Sequence, residues 1–219
     1  MDGIKLTITK DGSYTLFNPE IGEHYHSTFG AIQESEHIFI RAGLEPVIGQ
    51  HDTIHIFEMG FGTGLNALLT FLRSEETGQK IRYYGLEAFP VSMETAAALN
   101  YHELLNTDQN LFLKFHQPEN STQISDRFFL EKETNTLEQV VLPDDHFDIV
   151  YFDAFSPEAQ PGLWTPEIFE KIYHSMKTGG VLTTYSCKGT VKRAMKAAGF
   201  QLEKLPGPPG KREFLRATK

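Results

Sequence analysis

The sequence has 219 residues, of which 40% are hydrophobic and 22% charged, and this is enough chain to bury a sizeable core. No apolar run approaches the roughly 20 residues that a bilayer crossing needs, and the first twelve residues are charged, so we expect a cytoplasmic protein. A single cysteine, Cys187, excludes an internal disulfide. Its place beside an apolar run is typical of a small packing residue.

The charge is unevenly distributed. A net charge of −9, taken alone, argues against a nucleic-acid partner, because phosphate binding needs lysines and arginines. Residues 188–219, however, carry nine Lys and Arg against Glu203 and Glu213, a local balance of +7 that leaves −16 on residues 1–187. This end of the chain is either ordinary solvated surface or a basic face on an acidic body.

The first part of the chain predicts a small appendage. Residues 5–17 alternate apolar and polar side chains around Asp11-Gly12, which indicates a β hairpin with a two-residue turn. Residues 27–44 have near-helical apolar spacing and end at Gly43, so we predict a helix there. We expect residues 1–45 to form an N-terminal extension packed on one domain of residues 46–219.

Strands and helices alternate through the rest of the chain. We predict strands at residues 53–59, 82–87, 128–131, 147–152 and 181–186 and helices at residues 65–73, 91–105, 166–176 and 189–198. Residues 106–125 are expected to be irregular, Gly179-Gly180 a turn, and residues 200–205 and 213–217 a closing hairpin-like pair. This order predicts a Rossmann-like α/β fold, with a mostly parallel sheet, helices on both faces and one antiparallel strand.

A glycine-rich segment follows the first strand of this domain. Gly60, Gly62 and Gly64 stand between a strand and a helix, where glycines let the backbone approach a ligand and helix amides face its polar groups. A tight strand-to-helix connection is the simpler interpretation. The Gly-x-Gly-x-Gly spacing departs from the dinucleotide fingerprint and favours S-adenosylmethionine instead.

Three acidic residues occupy strand ends near this turn. Glu58 precedes the turn, where it would repel a pyrophosphate and attract a methionine ammonium group. Glu87 ends the second strand and is placed to accept hydrogen bonds from ribose hydroxyls. Glu133 follows the third strand, and whether it meets the adenine amino group stays open.

The clearest strand leads into a segment with the residues for a reaction. Asp153, at its carboxyl end, is the predicted catalytic residue, because amine methylation needs a group that aligns the nitrogen and accepts a proton. Phe155, Pro157 and Trp164 form a proline-bounded aromatic segment against which a flat base would stack. Core packing is the alternative for the aromatic side chains, above all for Trp164.

Other catalytic apparatus is not indicated. The pairs His24/His26 and His51/His55 lack the further ligands that complete a coordination shell, so we expect no metal. No Ser-His-Asp or Cys-His arrangement is recognisable either. We therefore expect the reaction to depend on a bound organic cofactor.

Four motifs together resemble a known family. They are residues 25–35 (YHSTFGAIQES), residues 60–66 (GFGTGLN), residues 153–157 (DAFSP) with the Trp-Thr pair at 164–165, and residues 199–200 (GF) with 210–213 (GKRE). The combination spans most of the chain and resembles the MnmC-like tRNA methyltransferases, which have the class I fold of S-adenosylmethionine-dependent enzymes. In that family the domain methylates the 5-aminomethyl group of the modified wobble uridine of tRNA, giving 5-methylaminomethyl-2-thiouridine.

The resemblance implies roles for particular residues. It implies S-adenosylmethionine bound by Gly60, Gly62, Gly64, Asn66 and Glu87, with Tyr25 and Glu34 closing over the site and Asp153 assisting catalysis. The motif positions of Lys211 and Arg212 put them near the active-site mouth, as tRNA contacts. Glu133 stands where the family pattern leads us to expect an aspartate.

The same resemblance leaves other functions open. Bifunctional family members carry a second, FAD-dependent oxidase domain, and the absence of a second glycine fingerprint predicts the methyltransferase domain alone, of the MnmD type. A small-molecule amine methyltransferase or an aminopropyltransferase would use the same core and tolerate an acidic surface better. A catalytically silent tRNA-binding module is the third hypothesis. The oligomeric state is not predictable from the sequence.

Overall fold

The computed structural model describes residues 3–219 and begins with a small antiparallel sheet. Strand β1 (Lys5–Ile8) pairs with β2 (Tyr14–Asn18), and β2 pairs with β3 (Glu23–His24). The predicted hairpin is therefore confirmed. Residues 1 and 2 of the expected N-terminal extension lie outside the described residues.

The turn between β1 and β2 is longer than predicted. Thr9 N donates to Ser13 O (2.9 Å) and Gly12 N donates to Thr9 O (3.1 Å), so three residues rather than two form the loop. Gly12 has φ +85°, the left-handed conformation typical of three-residue hairpin loops. The Asp11 carboxylate accepts hydrogen bonds from the Thr9 hydroxyl (2.7 Å) and Ser13 N (3.0 Å), and these bonds stabilise the longer turn.

The predicted helix at residues 27–44 is confirmed from its fifth residue onward. Helix α1 (Ala31–Ser35) continues as a π-helical segment, Glu36–Leu44. At the end of this segment Glu45 N donates to Ile40 O (2.9 Å), five residues earlier, as a π-helix requires. Residues 27–30 form a turn instead, with Gly30 N donating to Ser27 O (3.2 Å).

The main sheet has eight strands. They are β4 (Thr53–Met59), β5 (Lys80–Leu86), β6 (Ser121–Gln123), β7 (Phe128–Glu133), β8 (Phe147–Phe152), β9 (Met176–Thr184), β10 (Gln201–Pro206) and β11 (Glu213–Thr218). Their order is β10-β11-β9-β8-β4-β5-β7-β6. The central strands β7, β5, β4, β8 and β9 are parallel, and β11 runs antiparallel to β9, as predicted for the closing pair. The short edge strand β6, which was not predicted, also pairs antiparallel, with β7.

Helices cover both faces of the sheet. They are α2 (Leu65–Thr77), α3 (Met93–Ala97), α4 (Tyr101–Leu104), α5 (Gln109–Lys114), α6 (Pro166–Ser175) and α7 (Gly189–Ala197), with a 3₁₀ turn at Pro161–Trp164. Side chains of β8 alternate between two apolar clusters: Ile149 packs with α2 and α5, whereas Val150 packs with α6 and α7. The α/β prediction is therefore confirmed. Cys187 packs half-buried against the second cluster, as expected.

The predicted helix at residues 91–105 is wrong, because the chain breaks into α3 and α4. Asn100 lies at the break and ties this region to the N-terminal hairpin. Its side-chain oxygen accepts a hydrogen bond from Tyr14 N (2.8 Å), and its side-chain nitrogen donates to Gly12 O (2.9 Å). Residues 106–125, expected to be irregular, contain α5 and β6.

The predicted turn at Gly179-Gly180 lies inside β9, which begins at Met176 rather than at residue 181. The strand bulges there, since Phe147 pairs with Met176 but Ile149 already pairs with Val181. Gly179 has φ +82°, which a bulge of this kind accommodates only with glycine. Among residues 3–219, no helix combines the length and apolar character that a membrane crossing requires.

Candidate active site

A cavity of about 570 Å³ opens at the carboxyl ends of β4, β5 and β8. The turn after β4 and the segments after β5 and β8 form its floor, and residues 21–27 of the N-terminal segment cover one side. Five acidic side chains and one lysine line it: Glu23, Glu34, Glu87, Glu138, Asp153 and Lys211. Its size is that of a small-molecule site, and its lining suits a positively charged ligand.

The glycine turn after β4 allows a close approach to the segment that follows β8, at the floor of the cavity. Gly60, Gly62 and Gly64 all have positive φ, at +88°, +47° and +71°. A Cβ at Gly60 would overlap the backbone carbonyl of Asp153, whose own N donates to Met59 O (2.9 Å). At Gly62 a Cβ would lie 3.0 Å from the Tyr25 ring. The turn therefore needs glycine for its backbone conformation and, at Gly60 and Gly62, for close approach.

The Glu87 carboxylate follows β5 and faces the same cavity. One of its oxygens accepts a hydrogen bond from Gly62 N (2.9 Å) and the other from Phe89 N (2.9 Å). Burial raises the pKa of Glu87, and these backbone amides oppose the rise. A carboxylate has about four acceptor positions, so Glu87 keeps capacity for further donors such as hydroxyl groups.

The Asp153 carboxylate lies where β8 enters its loop. Asn66, from the first turn of α2, donates through Nδ2 to Asp153 Oδ2 (2.9 Å) and also to Glu58 Oε1 (2.8 Å). Burial and the nearby negative charge of Glu34 raise the pKa of Asp153 to about 7, against the opposing effects of Asn66 and Lys211. Near neutral pH the side chain is therefore divided between its acid and base forms, as proton transfer requires.

A buried ion pair joins two distant segments beside Asp153. Lys211 Nζ lies 2.8 Å from Glu34 Oε1, and the Glu34 side chain is only 8% exposed. Glu34 Oε2 also accepts a hydrogen bond from Ser27 N (2.8 Å). The Lys211 ammonium lies over the Tyr185 ring, 4.2 Å from its centroid, and the Tyr185 hydroxyl donates to Ala154 O (2.9 Å). The pair thus joins the N-terminal segment to the C-terminal segment at the wall of the cavity.

Aromatic side chains form the remaining wall. Tyr25 and Phe155 meet edge to face, with ring centroids 5.1 Å apart. Burial and the charge of Glu87 raise the pKa of Tyr25 to about 12, so its hydroxyl stays protonated. Ser156 N donates to Glu23 Oε2 (3.0 Å), which ties the loop after β8 to the N-terminal segment.

The structure brings nine of the predicted site residues to this cavity and leaves six away from it. The residues that line it are Tyr25, Glu34, Gly60, Gly62, Asn66, Glu87, Asp153, Phe155 and Lys211. The residues that do not are Glu58, Gly64, Glu133, Pro157, Trp164 and Arg212.

Three of the residues that do not line the cavity contact other side chains, and the sequence does not indicate these contacts. Glu133 bonds the Tyr84 hydroxyl and Asn135 and lies at a separate cavity of about 100 Å³. Glu58 is fully buried beneath Asn66. Trp164 is 5% exposed and packs on Phe152, so the core-packing interpretation is correct for it.

The other three, Gly64, Pro157 and Arg212, do not line the cavity either. Trp164 Nε1 donates to Phe155 O (2.9 Å), which positions the loop that contains Pro157. Gly64 starts α2 and packs against His116, and Arg212 points to solvent.

The sequence analysis missed several residues that line the cavity: Glu23, His26, Phe89, Thr136, Leu137, Glu138 and Tyr185. Residues 136–138 follow β7, and the rule that ligands bind at the carboxyl ends of parallel strands would have indicated them. His26 carries no comparable sequence signal. Burial lowers its pKa to about 4, so the imidazole is neutral near pH 7.

Most of the basic end of the chain is neutralised locally. Lys188 pairs with Glu158, Lys204 with Glu213, Arg216 with Glu203 and Lys219 with Asp145. Ion pairs among residues 3–219 do not include Lys192, Arg193, Lys196 or Arg212. Three of these four, Arg193, Lys196 and Arg212, are exposed. No group of three metal-ligating side chains occurs in the described part of the chain.

The fold and this site define a class I, S-adenosylmethionine-dependent methyltransferase. A family model described as S-adenosyl-L-methionine-dependent methyltransferase matches residues 101–219, and the chain belongs to that family. The residues that line the cavity fit this cofactor, because acidic side chains suit its positive charge. The buried Asn66 Oδ1 also has no hydrogen-bond partner among residues 3–219. That oxygen would accept a hydrogen bond from an ammonium group.

The relatives confirm the resemblance to MnmC-like proteins. The chain is 29% identical over 224 residues to the tRNA 5-methylaminomethyl-2-thiouridine biosynthesis bifunctional protein MnmC of Burkholderia multivorans, covering 96% of this chain and 34% of that protein. The corresponding protein of Aeromonas hydrophila is 28% identical over 221 residues, covering 92% and 33%. The chain thus spans about a third of the length of these relatives.

Solved structures give the same picture of the fold. The crystal structure of MnmC2 from Aquifex aeolicus superposes with a TM-score of 0.81 at 25% identity, covering all of this chain and 71% of the other. Spermidine synthase from Thermotoga maritima superposes with a TM-score of 0.52 at 15% identity, covering 99% and 71%, which shows a shared fold alone.

Proposed function

We propose that this protein methylates the primary amine of 5-aminomethyl-2-thiouridine at the tRNA wobble position, giving 5-methylaminomethyl-2-thiouridine. The observation that carries the proposal is the Asp153 carboxylate, with a pKa of about 7, at the floor of an acidic cavity. The names of the MnmC relatives, which refer to biosynthesis of this nucleoside, supply the acceptor. A tRNA substrate implies a cytoplasmic enzyme.

The chemical task of the protein is to deliver an unprotonated amine. S-adenosylmethionine supplies an electrophilic methyl group when bound. An alkyl ammonium ion has no lone pair for attack, so the amine must lose a proton first. The Asp153 carboxylate holds the ammonium by charge and accepts that proton, and its raised pKa makes it a stronger base than an ordinary aspartate. The Asn66 amide fixes the carboxylate in place.

The glycine turn and the segment after β5 would hold the cofactor. Glu87 would accept hydrogen bonds from ribose hydroxyls with the lone pairs that the amides of Gly62 and Phe89 leave free. Gly60 and Gly62 would allow the backbone to approach it closely. Tyr25 and Phe155 would separate the cofactor from solvent, which favours charge-dependent steps.

The basic surface around α7 would bind the tRNA backbone. Arg193, Lys196 and Arg212 are exposed and take part in no ion pair among residues 3–219, so they are free to contact phosphates. Lys192 is half-buried on the same helix. Lys211 has a different task, because it faces the cavity and pairs with Glu34.

Nucleoside analysis of tRNA tests this proposal directly. The protein is incubated with S-adenosylmethionine and tRNA that contains 5-aminomethyl-2-thiouridine. The tRNA is then digested to nucleosides, which are separated and identified by mass spectrometry. We expect one added methyl group on that nucleoside and none on tRNA that lacks the aminomethyl group. The Asp153→Asn variant is the matched control for a folded but inactive site.

A polyamine is the second candidate acceptor, since five carboxylates line the cavity and would attract a small polycation. The fold likeness to spermidine synthase is compatible with this alternative but does not favour it. The same incubation with putrescine or spermidine in place of tRNA separates the two. Label transferred to the polyamine, with none to tRNA, would contradict the tRNA proposal. A protein that binds both cofactor and tRNA without transfer would be the silent binding module.

A further inference from the structure

Glu58 has a buried carboxyl group that contacts no positively charged side chain among residues 3–219. It is the penultimate residue of the central strand β4, its side chain is completely inaccessible, and the ion pairs among residues 3–219 do not include it. Its two contacts are neutral: the Tyr83 hydroxyl lies 2.8 Å from Oε2, and Asn66 Nδ2 donates to Oε1 at 2.8 Å. Burying a carboxylate with only neutral partners is costly, so such a group takes up a proton more readily than an exposed one.

Asn66 separates Glu58 from the cavity. Asn66 lines the cavity, whereas Glu58 does not, and the two hydrogens of the Asn66 amide go to Glu58 and to Asp153. The orientation of the amide is decided by these two carboxyl groups, because its oxygen has no partner in the described structure. Without Glu58 only one of the two hydrogen bonds that fix the amide would remain.

The two carboxyl groups do not carry charge equally. Burial raises the pKa of Glu58 well above its usual range, and the negative charges of Asp153 and Glu87 add to the rise. Asp153 opens to the cavity and has Lys211 nearby, which favours its ionised form. Glu58 is therefore the carboxyl group of the pair that more readily keeps a proton, and Asp153 is the one that more readily ionises. In the structure the Tyr83 hydroxyl donates to Glu58 Oε2, and Oε1 accepts from Asn66. A proton on Oε2 preserves both contacts, because the Glu58 hydroxyl then donates to the Tyr83 oxygen and Oε1 still accepts from Asn66.

We propose that Glu58 is a positioning residue: it holds the Asn66 amide so that the second amide hydrogen bonds Asp153, and it does not contact the cofactor. This role replaces the cofactor contact that the position of Glu58 before the glycine turn suggests. It rests on the proposed function only in taking Asp153 as the proton acceptor.

Two substitutions separate positioning from cofactor binding. Glu58→Met fills the buried volume without an acceptor, whereas Glu58→Gln keeps the hydrogen bonds of the protonated acid. We expect the pKa of Asp153, followed by carboxyl ¹³C NMR, to rise by about one in Glu58→Met, because a charge-assisted hydrogen bond is weakened, and to stay near its wild-type value in Glu58→Gln. S-adenosylhomocysteine affinity, measured by calorimetry, should stay within about twofold in both variants.

The side-chain amide of Asn66 gives an independent readout. In wild type and Glu58→Gln its two ¹H–¹⁵N signals should be resolved and slow to exchange, and in Glu58→Met they should exchange at least about tenfold faster. In an Asn66→Ala background, Glu58→Met should leave the pKa of Asp153 unchanged, because Glu58 acts only through that amide.

Two results would overturn the proposal. The first is a loss of about tenfold or more in S-adenosylhomocysteine affinity in Glu58→Gln with the titration of Asp153 unchanged, which would make Glu58 a cofactor ligand. The second is an additive effect of Glu58→Met and Asn66→Ala on the pKa of Asp153. If Glu58→Met does not fold, affinity and titration in Glu58→Gln still decide the first point. None of these measurements uses tRNA or turnover, so they are separate from a failure of the proposed function.

Discussion

The floor of the cavity and its rim are held together by different forces. The floor, which comprises the glycine turn, Asn66, Glu87 and Asp153, rests on the parallel strands and is fixed by backbone amides and buried hydrogen bonds. The rim, which comprises residues 21–34 and 206–212, is joined by the ion pair of Glu34 with Lys211 and the hydrogen bond of His37 with Pro206 O (2.7 Å). The floor is thus built from segments adjacent to the sheet, whereas the rim is assembled from segments far apart in the sequence.

The largest effect is expected from removing the proposed base, Asp153, at the floor of the cavity. Asp153→Asn keeps the shape and the Asn66 contact but cannot accept a proton at neutral pH. We expect methyl transfer to fall by about 10²–10⁴-fold, the usual contribution of general-base catalysis, with cofactor affinity within a fewfold. Single-turnover transfer of labelled methyl and calorimetry measure the two. A rate near that of wild type would contradict the assignment of Asp153.

Glu87→Ala should instead weaken cofactor binding. Loss of a charged hydrogen-bond partner costs about 1.5–3 kcal/mol, so the dissociation constant should rise about 10- to 100-fold. Glu133→Ala is the matched control, since Glu133 bonds the Tyr84 hydroxyl away from the main cavity and its removal should leave affinity unchanged. Equal losses in both variants would show that Glu133 is also a ligand.

At the rim, the two members of the ion pair should shift the pKa of Asp153 in opposite directions. Lys211 favours the ionised form of Asp153 and Glu34 disfavours it, so Lys211→Met should raise the pKa of Asp153 above about 7 and Glu34→Gln should lower it. At pH 7 we expect the rate of Lys211→Met to fall about threefold and to recover at higher pH. The double variant should titrate near wild type. A decrease that higher pH does not restore would mean that Lys211 contacts substrate directly.

The smallest effect is expected from the exposed cations. Arg193→Ala with Arg212→Ala removes two unpaired charges, whereas Lys204→Ala with Arg216→Ala removes two that pair with Glu213 and Glu203. The first variant should weaken tRNA binding. Its plot of log binding constant against log salt concentration should become shallower by about 0.9 for each phosphate that is no longer neutralised, and the control variant should change little. Equal behaviour of the two variants would show that this end is ordinary solvated surface.

The floor was largely predictable from the sequence because its parts are local. A strand, a Gly-x-Gly-x-Gly turn and a helix follow each other directly, and Asp153 directly follows a strand with a long apolar run. The rim was not predictable as a unit, since nothing in the sequence shows that Lys211 meets Glu34 rather than solvent. The hydrogen bond of Glu133 with Tyr84 was not predictable for a related reason: Tyr84 lies on the neighbouring strand, and only the register of β5 with β7 brings the two side chains together.

The proposed role of Asp153 as proton acceptor can be measured through the pH dependence of single-turnover methyl transfer to tRNA bearing 5-aminomethyl-2-thiouridine. Burial raises the pKa of Asp153 to about 7, so its base form is lost as pH falls through that value. At saturating cofactor the rate should rise with pH between about 6 and 8, with a midpoint near 7, and Asp153→Asn should abolish both the rate and this titration. A rate that is flat across this range in wild type, or a midpoint near 7 that persists in Asp153→Asn, would contradict this role of Asp153.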